Sequence, residues 1–324
     1  MLKPTSQAKF IFATLAALTL PMAAHADGER IAVFTKNQTN PFFQYVRLGA
    51  ESAASQMNAK IQHYVPTKPD SIPEQISQVE DVVVKRPDAV VFIPVDNKAM
   101  VSSVQKMNAA GIPVVNVTDR IESGQIVSFV GADDFSLGLE TGRFMLKAMG
   151  GKGNVVIIEG VKAALSSTNR VRGFRKALEE FPQVKVLASQ PGNNQRLQAL
   201  QVMDNLLQTH PQIDGVFGTN DAMATGVIEA LDAANRKALV VGINGTKEAV
   251  DAVKAGKMLA TGDYGSFLQG CFGTMSAIRY LRKMPVEANV VFPASLITKA
   301  NIAAFDVPAE KLVCPKWESL IATK

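Results

Sequence analysis

The sequence of 324 residues has few cysteines, aromatic residues and charged residues. Two cysteines are too few for a disulfide-built miniprotein, and 47% hydrophobic with only 19% charged residues excludes a disordered chain. Aromatic residues amount to 6%, which favours helices packed on buried parallel strands over an aromatic-rich β-sandwich. The length suffices for two globular domains in an α/β chain.

No hydrophobic run is long enough to cross a bilayer, which requires roughly 18 to 20 apolar residues. The N-terminal run from Phe10 to Leu20 has only eleven residues. It follows two lysines and precedes a small-x-small motif that ends at Ala26, the pattern of a secretory signal peptide. We predict that residues 1–26 are a signal peptide cleaved after Ala26.

Positive charge is modest and dispersed along the chain. Removing the two leader lysines lowers the formal charge from +5 to +3. The remaining lysines and arginines alternate with acids and form no basic stripe with interleaved aromatic residues. This distribution excludes a nucleic-acid partner.

Catalytic and phosphate-binding motifs are missing as well. The sequence has no G-x-S-x-G elbow, H-E-x-x-H motif, C-x-x-C motif or P-loop. His63 and His210 have no nucleophile or metal ligand nearby in the sequence, and the glycine-rich run at 150–153 precedes a strand instead of following one. We therefore expect that the protein is not an enzyme and that it binds no metal ion or cofactor.

Short β-branched runs alternate with segments of helical spacing. Residues 42–57 and 72–83, for example, repeat apolar or small side chains every three or four positions. Such alternation predicts parallel sheets with helices on both faces. The predicted strands are 30–35, 61–65, 89–94, 113–117, 155–159, 184–188, 215–218 and 239–243.

The segment from Pro87 resembles the segment from Pro211. When Phe92 and Phe217 are aligned, an aspartate follows each phenylalanine by four residues, and Asp119 and Asn244 follow by 27. Two similar sheets would place these polar residues at equivalent strand ends. Because ligands bind outside the carboxyl ends of strands in open α/β sheets, we predict a polar cleft between two lobes.

An ordered set of motifs makes the chain resemble the ribose-binding-protein branch of type I periplasmic binding proteins, from about residue 29 to about 298. Each motif alone is weak evidence for that family, but the whole set in this order is specific for it. The motifs are Asn40-Pro41-Phe42-Phe43, Asp119-Arg120, Arg170 four residues before Phe174, Ala188-Ser189-Gln190-Pro191, Asn220-Asp221 and Val240-Val241-Gly242-Ile243-Asn244-Gly245-Thr246.

The resemblance implies two Rossmann-like lobes joined by a three-segment hinge. We expect residues 27–132 plus 265–295 in the N-terminal lobe and residues 133–264 plus 296–324 in the C-terminal lobe. It also implies a periplasmic, monomeric protein that closes on a sugar, polyol or sugar acid and presents it to an ABC permease in the inner membrane. The alternative partner is a chemoreceptor or sensor kinase.

The same resemblance implies a ligand-binding set, carried over motif by motif. Lys36 joins it because it aligns with a lysine of allose-binding relatives. Three positions depart from the ribose pattern, where an aromatic residue, an aspartate and a hinge glutamine are replaced by Asn194, Asn244 and Tyr264. The full set is Lys36, Asn40, Phe42, Phe43, Asp119, Arg120, Arg170, Asn194, Asn220, Asn244 and Tyr264.

Three questions stay open at the level of sequence. Lys36, Arg120 and Arg170 against Asp119 alone sum to +2, which favours an anionic ligand, unless nearby acids neutralise the excess and leave a site for a neutral sugar. Asn40 and the two phenylalanines also fit a helix cap and core positions. Cys271 and Cys314 suit either a disulfide or two buried thiols. The acids near the motifs are Asp96, Asp133, Asp221 and Asp263.

Overall fold

The computed structural model describes residues 28–162 and 164–321, so the predicted signal peptide lies outside the described residues. The first lobe contains a six-stranded sheet and four helices. Its strands are β1 (Arg30–Phe34), β2 (Lys60–Tyr64), β3 (Ala89–Phe92), β4 (Val114–Val117), β5 (Ser128–Ala132) and β11 (Asn289–Phe292), and its helices are α1 (Pro41–Gln56), α2 (Ile72–Lys85), α3 (Val101–Ala109) and α9 (Ser266–Leu281).

The second lobe also has six strands in one sheet. They are β6 (Lys152–Glu159), β7 (Gln183–Pro191), β8 (Gly215–Gly218), β9 (Leu239–Asn244), β10 (Ala260–Asp263) and β12 (Ser295–Thr298). Its helices are α4 (Asp134–Ala148), α5 (Leu165–Leu178), α6 (Arg196–Thr209), α7 (Asp221–Ala233) and α8 (Lys247–Lys254). The tail adds the 3-10 turns Ile302–Ala304 and Ala309–Lys311 and the short helix α10 (Trp317–Ile321).

The two sheets have matching strand orders, β11-β5-β4-β3-β1-β2 and β12-β10-β9-β8-β6-β7. Strands β3 and β8, which contain Phe92 and Phe217, occupy the same place in their sheets, and so do β4 and β9. The repeat in the sequence is therefore a structural repeat. The described strands pair in parallel except β10 and β12, which are antiparallel.

Both faces of each sheet are covered, as the alternation of buried residues along the strands shows. In β3, Ala89 and Val91 pack into one apolar cluster, whereas Val90 and Phe92 pack into another. Since side chains alternate across a strand, a strand that is apolar at every position must be covered on both sides. This arrangement confirms the predicted α/β class with two parallel-dominated sheets.

The chain passes between the lobes three times. Ser295 pairs with Asp263 and therefore belongs to the second sheet. The last segment of the first lobe thus ends before residue 295, slightly earlier than the expected range of 265–295. The crossovers lie between β5 and α4, between β10 and α9, and between β11 and β12.

The tail after β12 contacts both lobes. Asp306 lies 2.5 Å from the ammonium of Lys254 on α8, and Cys314 then forms a disulfide with Cys271 on α9. Trp317 follows in the apolar cluster beneath α1 and α9. Assigning residues 296–324 wholly to the second lobe is therefore wrong, because the last part of the tail buries its apolar side chains against the first lobe.

Helices α4 and α5 lie unusually close together in the second lobe, which determines the position of Arg170 on α5. A Cβ at Gly138 of α4 would lie 2.1 Å from the carbonyl oxygen of Arg170, and a Cβ at Gly173 would lie 2.1 Å from that of Phe135. Only glycine permits such an approach. The start of α4 and the side chain of Arg170 are thereby held against each other.

Candidate functional site in the interlobe cleft

The candidate site lies where the carboxyl ends of strands from the two sheets face each other. Asp119, just after β4, accepts a hydrogen bond from the backbone N–H of Ser166 at the start of α5, at 2.9 Å. Tyr264, just after β10, has its hydroxyl 3.5 Å from the carbonyl oxygen of Thr118. These contacts between lobes place the polar strand ends around one cleft, as the topology of open α/β sheets predicts.

Three residues at or beside the cleft have a positive φ: Thr118, Asn194 and Asn244. Thr118 has a φ of 67° and Asn244 a φ of 150°, values that residues with side chains rarely adopt. The Thr118 hydroxyl donates to Gln269 at 2.8 Å, and the Gln269 amide donates to the carbonyl oxygen of Tyr264 at 2.6 Å. Strained backbone tends to occur at binding sites, and here it directs Asp119 and the Asn244 side chain into the cleft.

Lys36 and Asp119 form a buried ion pair on the first-lobe side, with side chains only 4% and 2% exposed. Burial by itself would raise the pKa of Asp119. The ammonium of Lys36 and the hydrogen bond from Ser166 outweigh burial, so the pKa lies below its ordinary value. Asp119 is therefore a carboxylate at neutral pH and balances the charge of Lys36.

Arg170 occupies the second-lobe side of the cleft and is 4% exposed. Its Nε donates to Asp134 at 2.8 Å, and its Nη1 donates to the carbonyl oxygen of Thr219 at 2.9 Å and to Asn244 at 3.1 Å. The guanidinium carbon lies 4.2 Å from the ring centroid of Tyr264. These contacts fix the plane of the guanidinium through Nε and Nη1, and none of the hydrogen bonds found among the described residues uses Nη2.

Asp134 is the buried partner of Arg170. Its other oxygen accepts a hydrogen bond from the Tyr264 hydroxyl at 3.0 Å. Burial raises its pKa to about 6, although Arg170 acts in the opposite direction. Burial also raises the pKa of Tyr264 well above its usual value, so the hydroxyl stays protonated and remains the donor.

Aromatic rings form the apolar part of the cleft. Phe42 and Phe43 are 2% and 6% exposed, and both belong to the apolar cluster around α1. The ring of Phe42 lies 5.3 Å from the ring of Tyr264. Phe42 is therefore a core residue that also borders the cleft, whereas Phe43 packs edge-on against Phe42 within the core.

The amide side chains cap helices. Asn40 caps α1 by accepting from the N–H of Phe42, and Asn220 caps α7 by accepting from the N–H of Met223 at 2.8 Å. The Asn220 amide also donates to the side chain of Asn194 at 3.3 Å. Much of the hydrogen-bonding capacity of these residues is therefore used within the protein, and the structural alternative considered for Asn40 is correct.

Arg120 lies apart from the two buried ion pairs of the cleft. Its side chain is exposed, donates to Asn289 at 2.5 Å and lies 3.9 Å from the ring centroid of Phe129. The predicted sum of +2 is therefore wrong. With Arg120 directed towards the edge formed by β5 and β11, two cations remain, and each has its own buried carboxylate.

Sequence reasoning also missed Asp134, the buried acid that pairs with Arg170. Asp133, one of the suggested neutralising residues, is exposed and caps α4 by accepting from the N–H of Ser136 at 3.0 Å. Asp96 similarly accepts from two backbone N–H groups in the turn before α3. Asp134 pairs with Arg170 instead. The only signal in the sequence was that two consecutive acids, Asp133 and Asp134, follow β5, and this does not show which of them faces the cleft.

Asp221 is a second buried acid with a pKa raised to about 6, because burial outweighs hydrogen bonds from Thr261 and Thr246. The folded state thus holds a proton that the unfolded chain releases near pH 3.9, so this group makes the free energy of unfolding fall as pH rises from about 4 to about 6. Urea unfolding at about pH 4.5 and about pH 6.5 tests this, and Asp221→Asn should remove roughly 1 to 2 kcal/mol of the fall. Equal pH dependence in variant and wild type would contradict it.

The described residues contain neither a metal-binding cluster nor a membrane-spanning helix. Within 28–162 and 164–321, no group of three or more His, Cys, Asp or Glu side chains is placed to hold a metal ion. Over the same ranges, no helix combines the length and the hydropathy that a membrane crossing requires.

Comparisons with known proteins agree on one family. A family model described as a periplasmic binding protein domain matches residues 31–284. The ribose import binding protein of Haemophilus influenzae is 30% identical over 287 residues, which cover 89% of this chain and 97% of the relative. The D-allose-binding periplasmic protein of Escherichia coli is 32% identical over 263 residues, covering 78% of this chain and 84% of that one.

A solved structure supports the same assignment. It is the crystal structure of an ABC transporter periplasmic solute binding protein from Actinobacillus succinogenes with bound D-allose. The two structures superpose with a TM-score of 0.81 at 31% sequence identity, and the match covers 85% of this chain and 99% of the other. Such proteins bind solutes for transport systems and are not enzymes, and the family is periplasmic. The chain belongs to the periplasmic binding protein family, in the ribose-binding-protein branch of the type I fold.

Proposed function

We propose that this protein, acting as a monomer, captures a neutral sugar or polyol between its lobes and delivers it to the permease of an ABC importer. The observation that supports a neutral ligand is the charge balance of the cleft. Lys36 is paired with Asp119 and Arg170 with Asp134, and all four side chains are less than a tenth exposed. A ligand carboxylate would find no unbalanced cation to bind and would still lose its hydration.

The chemistry of the cleft suits hydroxyl groups. A hydroxyl both donates and accepts, so it can accept from Lys36 or from Nη2 of Arg170 and donate to Asp119. The rings of Phe42 and Tyr264 offer apolar faces to the C–H surface of a sugar. Each buried hydroxyl left without a partner would cost about 1 to 3 kcal/mol, which makes the arrangement selective.

The named relatives support a neutral ligand, because the relatives from Haemophilus influenzae and Escherichia coli are named for ribose and D-allose. The particular sugar is a separate matter, since Asn194, Asn244 and Tyr264 depart from the ribose pattern. Ribose itself is therefore not our first candidate.

A thermal-shift screen of the mature protein tests the proposal with matched neutral and acidic probes: D-ribose and D-ribonate, D-allose and D-allonate, xylitol and myo-inositol. A ligand present at about a thousandfold excess over its Kd stabilises the folded state by about 4 kcal/mol, which a melting curve resolves. We expect at least one neutral probe to raise the melting temperature and the matched acids to have little effect. Stabilisation by the acids alone would refute a neutral ligand.

Delivery to a permease requires a second measurement. Deleting the gene should abolish cellular uptake of the ligand found in the screen. Unchanged uptake with lost chemotaxis would instead support the chemoreceptor alternative.

A further inference from the structure

We propose that Asp134 sets the charge preference of the cleft, as the residue through which the protein selects neutral solutes over solutes with a carboxylate. This inference rests on the proposed function and identifies the residue responsible for it. Asp134 acts through Arg170 and is thus a positioning residue, because both of its oxygens are already occupied by Arg170 and Tyr264.

The position of Asp134 is rigidly determined by its surroundings. It is the first residue of α4, where the helix dipole favours a carboxylate. The close packing of α4 and α5 holds Arg170 beside it. The backbone of Tyr264 is held by a hydrogen bond from Gln269 to its carbonyl oxygen, and its ring packs against Phe42 and Arg170. Asp134 therefore has little freedom to move away when a ligand enters.

The charged and titratable groups that face Asp134 come from three elements. Arg170 on α5 is its direct partner, Tyr264 after β10 donates to it, and Asp119 after β4 adds a repulsive charge that Lys36 already balances. Asp221 and Asp119 also act on Arg170 through their charges, but Asp134 is the carboxylate that pairs with it directly, so loss of the Asp134 charge would leave the buried guanidinium without its direct counter-ion. A ligand carboxylate would then supply the missing charge, whereas with Asp134 present it is repelled.

The neighbouring residue provides a matched control. Asp134→Asn and Asp133→Asn remove the same unit of charge one residue apart, but Asp133 is exposed and only caps α4. Asparagine is as good a helix cap as aspartate, so the control variant should keep its stability. Any difference between the variants then reports the location of the charge and not the change in net charge.

Calorimetric titration with D-ribose, D-ribonate, D-allose and D-allonate tests the proposal in the wild type and both variants. We expect Asp134→Asn to shift the ratio of acid affinity to neutral-sugar affinity towards the acid by about 30-fold or more. Asp133→Asn should leave the ratio at its wild-type value. A purely structural role would lower both affinities together and leave the ratio unchanged.

Two outcomes separate this inference from the proposed function. If the wild type binds a neutral sugar and Asp134→Asn has the wild-type ratio, the inference about Asp134 is wrong and the proposed function stands. If the wild type binds only the acids, the proposed function is wrong and the inference falls with it. Asp134→Ser, which is smaller and removes the same charge, is used if Asp134→Asn fails to fold.

Discussion

Replacement of Arg170 by alanine should reduce ligand binding by at least about 100-fold, which places it below detection in a thermal-shift assay, while the protein still folds. The guanidinium hydrogen-bonds Asp134 and Asn244 and lies over the ring of Tyr264, and in the proposed site it also donates to the ligand. Alanine removes all these contacts together. Calorimetric titration with the neutral sugar identified in the screen measures the loss.

Arg172→Ala is the matched control for this variant. Arg172 lies two residues further along α5 but is exposed and donates to Asn169. It should bind ligand like the wild type, and circular dichroism should show that both variants are folded. Arg170→Lys should bind more weakly than wild type, because an ammonium cannot reproduce the planar fork. Wild-type affinity in Arg170→Ala would remove Arg170 from the site.

Loss of the disulfide between Cys271 and Cys314 should have the largest effect on stability. The bridge closes a loop with a sequence separation of 43, for which the chain-entropy relation gives about 4 kcal/mol. Measured values usually lie between about 2 and 4 kcal/mol, so we expect the melting temperature to fall by roughly 5 to 10 °C. Differential scanning calorimetry with and without a reductant measures the change.

The double variant Cys271→Ala/Cys314→Ala supplies the control. Its melting temperature should match that of the reduced wild type and should not respond to reductant. A thiol titration shows when the wild type is fully reduced. An unchanged melting temperature in a protein with two titratable thiols would mean that the bridge does not stabilise the fold.

The sequence predicted some strands much better than others. Runs of apolar residues, such as those of β1 with the sequence RIAVF and β3 with AVVF, were predicted because they are apolar at successive positions. In contrast, β5 with the sequence SFVGA and β10 with ATGD contain glycine and polar residues, and they were not predicted. Their strand conformation comes from pairing with neighbours in the sheet, which a local pattern does not contain.

The predicted site shows the same limit. Motif and strand-end reasoning indicated Lys36, Asp119 and Arg170, and the structure places all three in the cleft. It could not distinguish Asp133 from Asp134, because consecutive helical residues differ by about 100° in direction and the rotation of α4 is set by its packing on α5. The outward position of Arg120 likewise depends on Asn289, a residue distant in sequence.

The order in which the strands join the two sheets has a consequence for export. Each sheet takes its last strand from near the end of the chain, β11 at residues 289–292 and β12 at 295–298. A chain exported unfolded with its N-terminus first would therefore complete the first sheet only once residue 292 is across and the second only once residue 298 is across, with β5 and β10 as open edges until those points. The disulfide that closes the first lobe can form only once Cys314 is across, so a chain exported in this way would complete its folding after translocation.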